Sequence, residues 1–123
     1  MYSFSFEKLE VWQLARNFTA FVYQISEKFP NHEKYGLASQ LRRASISITS
    51  NLAEGAGRTS SKEQANFYQL AYSSAMEAIN QLIIANDLKY INHTELDLAR
   101  SQVSEISNKI NALRKAALSK IRR

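Results

Sequence analysis

The residues with chemical potential in this 123-residue chain gather in one stretch, ASISITSNLAEGAGRTSSKEQ, residues 44 to 64. Serines and Asn51 lead there into Glu54, Gly55, Gly57 and Arg58. A glycine-rich phosphate loop needs a strand before its turn, and EGAGR follows a helical pattern instead, so that chemistry fails on context. A structural account fits better. The glycines release the chain from a helix, the small Ser45, Ser47 and Ser50 permit close helix approach, and Asn51, Glu54, Gly55 and Arg58 are expected to form a polar network around the helix end. A buried Asn or Glu needs such partners, because leaving one unpaired costs on the order of several kcal/mol.

Other chemistries find less support. A carboxylate-bridged di-metal bundle requires Glu-x-x-His pairs, and neither His32 nor His93 has a Glu three residues before it. Both histidines sit in polar turn sequence, FPNHEKYG and YINHTE, and are expected to be solvated. The many serines lie on a helical pattern with no histidine nearby, which gives no positive case for nucleophilic catalysis. With no cysteine there are no disulfides and no thiolate ligands. No catalytic residue, metal site or cofactor is assigned.

What remains is positive charge. The formal net charge is +5, and Lys109, Arg114, Lys115, Lys120, Arg122 and Arg123 follow one another with no acidic residue between them. With Arg42, Arg43 and Arg58 they are the candidate phosphate contacts of a nucleic-acid surface. No base-reading module is visible, so binding should follow backbone and shape rather than sequence.

These side chains need elements to position them. Three glycines and one proline leave little material for turns, and apolar residues recur at three and four, the helical period. Four helices are expected, over about residues 6–29, 35–55, 61–90 and 94–120. Ser60 with Glu63, or Ser61 with Gln64, would cap the third, and Asn92 with Glu95 the fourth. Gly55 and Gly57 would end the second. Short connections make neighbours antiparallel, so the expected fold is all-α, a single antiparallel four-helix bundle over residues 1–123. The opening residues carry no secretory pattern and no segment suits a membrane span, which points to a soluble cytoplasmic protein.

Two helices carry more apolar surface than one core requires. Besides its core stripe, the third has a second line, Tyr68, Tyr72, Met76, Ile79 and Ile83; the second helix offers Ile46 opposite its core side; Trp12 lies off the stripe of the first. Covering these faces in water implies association of copies. A homo-oligomer is therefore expected.

The segments FEKLEVWQLAR (residues 6–16), FPNHEKYGLASQLRRASISITSNLAEGAGR (29–58) and FYQLAYSSAMEAINQLIIANDLKYI (67–91) resemble the four-helix-bundle proteins encoded in intervening sequences of bacterial 23S rRNA genes, also called S23 ribosomal proteins. The resemblance covers nearly all of the chain except its basic tail. It implies a homopentamer. It also implies similarity to the accessory protein of diversity-generating retroelements, a basic pentamer that binds nucleic acid and partners a reverse transcriptase. No catalytic role comes with Gln40, Arg42, Arg43, Asn51, Glu54, Gly55 or Arg58, where the family motif falls. The expected function is thus a non-enzymatic homo-oligomer binding RNA or DNA through basic residues; the alternative is a scaffold recruiting a protein such as a reverse transcriptase without touching nucleic acid.

Overall fold

The computed structural model of the chain describes residues 2–121 and places four α-helices in the order α1 (Glu10–Ser26), α2 (Leu37–Ala56), α3 (Ser61–Asp87) and α4 (His93–Ile121). Short 3-10 turns at Ser5–Lys8 and Asn31–Glu33 precede α1 and α2, and there is no strand among the described residues. α3 packs against both α2 and α4, and α1 closes the bundle against the same two helices. The core is one cluster to which every helix contributes, with Phe18, Leu41, Ile48, Leu52, Leu82, Ile106 and Ile110 fully buried.

Contacts between neighbouring helices run in opposite chain order. Gly55 meets Tyr68 while Ser47 bonds Ser74, and Glu10 pairs with Lys109 while Lys28 pairs with Glu95. The two N-terminal caps take the expected form. Ser60 Oγ accepts from the Glu63 N–H at 3.3 Å, and at α4 Asn92 Oδ1 accepts from the Glu95 N–H at 2.8 Å while Glu95 Oε1 accepts from the Asn92 N–H at 3.0 Å. Each cap satisfies backbone donors that the first helical turn leaves without partners.

α1 ends at Ser26, short of residue 29, and helix ends depart from expectation at three further places. α1 starts at Glu10 rather than near residue 6, because Phe4 to Lys8 closes on itself: the Phe4 N–H donates to Glu7 and the Glu7 N–H to Phe4 O at 3.0 Å. α3 stops at Asp87, short of residue 90. Lys89 adopts φ 65°, its N–H donates to Asn86 O at 2.9 Å, and the Tyr90 N–H donates to Ala85 O at 2.8 Å. This is a Schellman termination with lysine where glycine is usual, which is why no sequence signal marked it.

The third departure is Gly55, which does not end α2 but lies buried within it. A Cβ there would stand 2.7 Å from Tyr68 Cε1 and 3.1 Å from Phe67 Cβ, so the glycine exists to let the tyrosine ring lie on the helix. Tyr68 is consequently a core residue, 5% exposed, and not part of an outward stripe. Its side of α3 faces α2 inside the same chain. Tyr72, Met76, Ile79, Ile83 and Trp12 are half-buried along the core's flank, and Ile46 is 43% exposed.

Candidate nucleic-acid interface

Seven of the nine basic residues singled out by sequence lie among the described residues and fall into two physical classes. Arg42 belongs to the packing of α2 on α1: its Nε donates to Ser26 Oγ at 2.8 Å and its guanidinium lies 4.7 Å from the Tyr23 ring centre, with Glu27 at 3.6 Å. Arg58 closes the turn between α2 and α3. It lies 3.5 Å from Glu54 and 3.9 Å from Glu63, and its guanidinium sits 4.6 Å from the Phe67 ring centre. Lys109 pairs with Glu10 at 3.3 Å. All three are neutralised or stacked, which weakens the expectation that they serve first as phosphate contacts.

Arg43, Arg114, Lys115 and Lys120 form no ion pair among the described residues. Arg114 is half-buried and the other three are exposed. Arg122 and Arg123 lie outside the described residues. Three of the unpaired cations are carried by the last three turns of α4, and the Lys109–Glu10 pair sets that part of the helix beside the start of α1. There Leu9 and Val11 face Ala112, Leu113 and Ala116 across a cavity of about 280 Å³. The apolar contact orients α4, and Lys115 and Lys120, about 140° apart around the helix, both reach solvent. Arg43 stands apart, on the half of α2 that packs near the end of α1.

The polar network expected around the end of α2 separates into two groups. Asn51 Nδ2 donates to Ser47 O at 2.9 Å and Ser47 Oγ at 3.0 Å, and Ser47 bonds Ser74 of α3 at 2.8 Å. These contacts join two helices through small side chains. Glu54 is exposed and interacts with Arg58 without Asn51, and Gly55 makes room for Tyr68. Asn51 and Gly55, one helical turn apart, share the face of α2 toward α3 but meet it at different heights, at Ser74 through Ser47 and at Tyr68. Neither group encloses a reactive side chain.

The opposite end of α1 is bound by polar contacts between distant segments. Glu33 Oε1 accepts from the Leu37 N–H at 3.1 Å, capping α2, and Glu33 Oε2 accepts from the Tyr90 hydroxyl at 3.0 Å. The Leu37 N–H first, then the Tyr90 hydroxyl, hold the Glu33 carboxyl below its ordinary pKa. Burial, and then the bond to Glu33, push the Tyr90 hydroxyl up. Burial alone would raise Glu95, but the Lys28 ammonium and the Asn92 N–H outweigh it and leave the carboxyl lowered. His32 is exposed, with Nε2 3.4 Å from the Tyr90 hydroxyl, and His93 is the exposed first residue of α4. Among the described residues no group of three or more acidic, histidine or cysteine side chains could hold a metal ion, and no helix is long and apolar enough to cross a membrane.

One feature escaped sequence reasoning. Tyr23, Lys34, Tyr35, Ser39, Arg42, Arg43 and Ile46 line an open groove of about 400 Å³ between the end of α1, the turn before α2 and the first half of α2. The spacing of Tyr23 and Tyr35 from the arginines carries no local signal, because a loop brings them together.

Residues 7–112 match the family described as 23S rRNA-intervening sequence protein, and the chain belongs to that family. Its fold is similar to the crystal structure of a protein of unknown function from the S23 ribosomal protein family of Bacteroides thetaiotaomicron VPI-5482, with a TM-score of 0.79 at 18% identity over 85% of this chain and 98% of that one. No curated protein matches the chain in sequence.

Proposed function

We propose that this member of the 23S rRNA-intervening sequence protein family is an antiparallel four-helix bundle that assembles with copies of itself and binds RNA or DNA by phosphate contacts, with little sequence preference. The observation that carries this reading is the last three turns of α4. Arg114, Lys115 and Lys120 stand there with no acidic residue from Lys109 onward and no ion-pair partner among the described residues. A cation that stabilises a fold is usually paired or stacked, as Arg42 and Arg58 are. Unpaired cations gathered at one end of a helix, here spread around it, are free to displace the counterions of a polyanion. Repetition of that end by symmetry would multiply the contacts.

Self-association is supported by apolar surface that the single chain leaves in water. Leu70 and Ile84 on α3, Leu88 just past its end and Leu98 on α4 are 41–51% exposed, and Tyr72, Met76, Ile79 and Ile83, on another side of α3, are half-buried. The family resemblance implies five subunits, in a cytoplasmic setting compatible with the absence of cysteine.

Binding of RNA and of duplex DNA at several salt concentrations, with assembly mass measured in the same samples, tests the proposal. Salt-sensitive binding by one defined assembly supports it. An assembly that binds neither at low salt refutes the nucleic-acid half, and recruitment of a protein such as a reverse transcriptase then becomes the better account of the surface.

A further inference from the structure

The groove between α1 and α2 combines features that the basic segment of α4 lacks. Two tyrosine rings reach it, Tyr35 at 87% and Tyr23 at 38% exposure, and three cations border it, Lys34, Arg42 and Arg43. Among the described residues no carboxylate lines it. Glu27, which approaches Arg42 at 3.6 Å, lines the neighbouring hollow instead. Arg42 is fixed by the Ser26 hydroxyl and by Tyr23 O, and the Lys34 ammonium lies 5.5 Å from the Tyr35 ring centre. Arg43 is exposed and has no ion-pair partner among the described residues.

These groups constrain the ligand. Lys34 and Arg43, which have no ion-pair partner among the described residues, make this concave surface select an anion. Exposed aromatic faces select a planar partner, and every nucleobase presents such a face. A volume of about 400 Å³ falls in the range of small-molecule sites and suits one base, sugar and phosphate. We propose that this groove binds a single nucleotide unit, with its phosphate toward Arg43 and Lys34 and its base against Tyr35, either as a free nucleotide or as one residue of an unpaired strand.

The site goes beyond the phosphate-binding role given to α4 and occupies a different place. Glu10, beside Lys109, and Tyr23 are separated by thirteen residues of α1, about 20 Å at 1.5 Å per residue. The two assignments can therefore fail separately. A base held in a duplex offers no free face to Tyr35, so the groove should discriminate against duplex, whereas the α4 cations should not.

The test uses the full chain, AMP, a ten-nucleotide RNA carrying one photoreactive 4-thiouridine, and duplex DNA. Irradiation is expected to attach the RNA to Tyr35 or Tyr23. The double variant Tyr35→Ala/Arg43→Gln should lose single-strand affinity by about tenfold, the scale of one base–aromatic contact, and keep its helicity and its duplex affinity. Lys115→Gln/Lys120→Gln should weaken duplex affinity and leave the crosslink to Tyr35 or Tyr23 in place. AMP competition at the crosslink would identify a free-nucleotide site, and its absence with the crosslink intact a strand-binding site; both support the proposal. Unchanged single-strand affinity in Tyr35→Ala/Arg43→Gln overturns it, as does crosslinking confined to other residues. A changed assembly mass in that variant also overturns it, making the groove a contact between copies, and so does preferential binding of a phosphotyrosine peptide over AMP.

Discussion

The two ends of α1 lie in opposite electrostatic surroundings. Near Ser26 and the turns that follow, charged and polar groups, Lys34 and Arg43 at the groove excepted, are largely spent on one another across long stretches of chain: Lys28 with Glu95, Glu33 with Tyr90 and the Leu37 N–H, Arg42 with Ser26. Near Glu10 one such pair, to Lys109, fixes α4, and the cations beyond it have no internal partner among the described residues. Composition alone scores all of these as charged surface. The comparison teaches that the first set is architecture, holding two inter-helix turns together, and that the second is available to a ligand.

Substitutions can break this contrast, and the largest expected effect is a control that touches neither end. Gly55→Val should destabilise the fold by about 1–3 kcal/mol, because the added carbons meet the Tyr68 ring in a filled site. Denaturant unfolding checks this, and an unchanged midpoint would mean that Tyr68 is not seated on α2. At the bound end, Asn92→Ala removes the N-cap acceptor of α4 and should cost about 1 kcal/mol in the same assay.

Lys89→Gly acts in the opposite direction. Relief of the left-handed backbone at φ 65° should raise stability by a fraction of about 1 kcal/mol. A loss of stability would show that the lysine is not strained there.

The same end should confer acid sensitivity. Glu33 and Glu95 have folded pKa values below their unfolded ones. Their contribution is therefore complete above the unfolded carboxylate range and fades as pH falls through the lowered folded values. Stability should decline with acidification across that window, and the Glu33→Gln/Glu95→Gln variant should decline less steeply. Parallel pH profiles for the two proteins would break the claim that this end is bound by its carboxylates. The smallest effect is expected at the other end, where Lys115→Gln/Lys120→Gln should change stability by no more than about 0.5 kcal/mol.

Much of the helical framework was legible in the chain, because three-four periodicity and short local motifs determine it. Ser60 and the Asn92–Glu95 box cap the helices where their spacing implied, since capping depends on residues within one turn. Local signals failed where the partner was remote. Gly55 reads as a helix terminator until the Tyr68 ring is seen against it, and Tyr68 reads as an outward stripe for the same reason. Lys89 gives no sign of its backbone conformation, because the hydrogen bonds of the turn impose it. Of the candidate site, sequence supplied the list of basic residues but not their sorting, since a cation's partner can stand 67 positions away, as Glu95 does from Lys28. The Tyr23–Tyr35–Arg43 groove was illegible for that reason too.

The central claim is that the unpaired cations of α4 engage a polyanion, and its most direct test is the salt dependence of RNA and duplex-DNA affinity for the wild-type chain and Lys115→Gln/Lys120→Gln. The account predicts a linear fall of log affinity with log salt, and a slope flattened by about 0.9 for each phosphate contact removed from duplex DNA. Equal slopes in the two proteins, or affinity indifferent to salt, would contradict it.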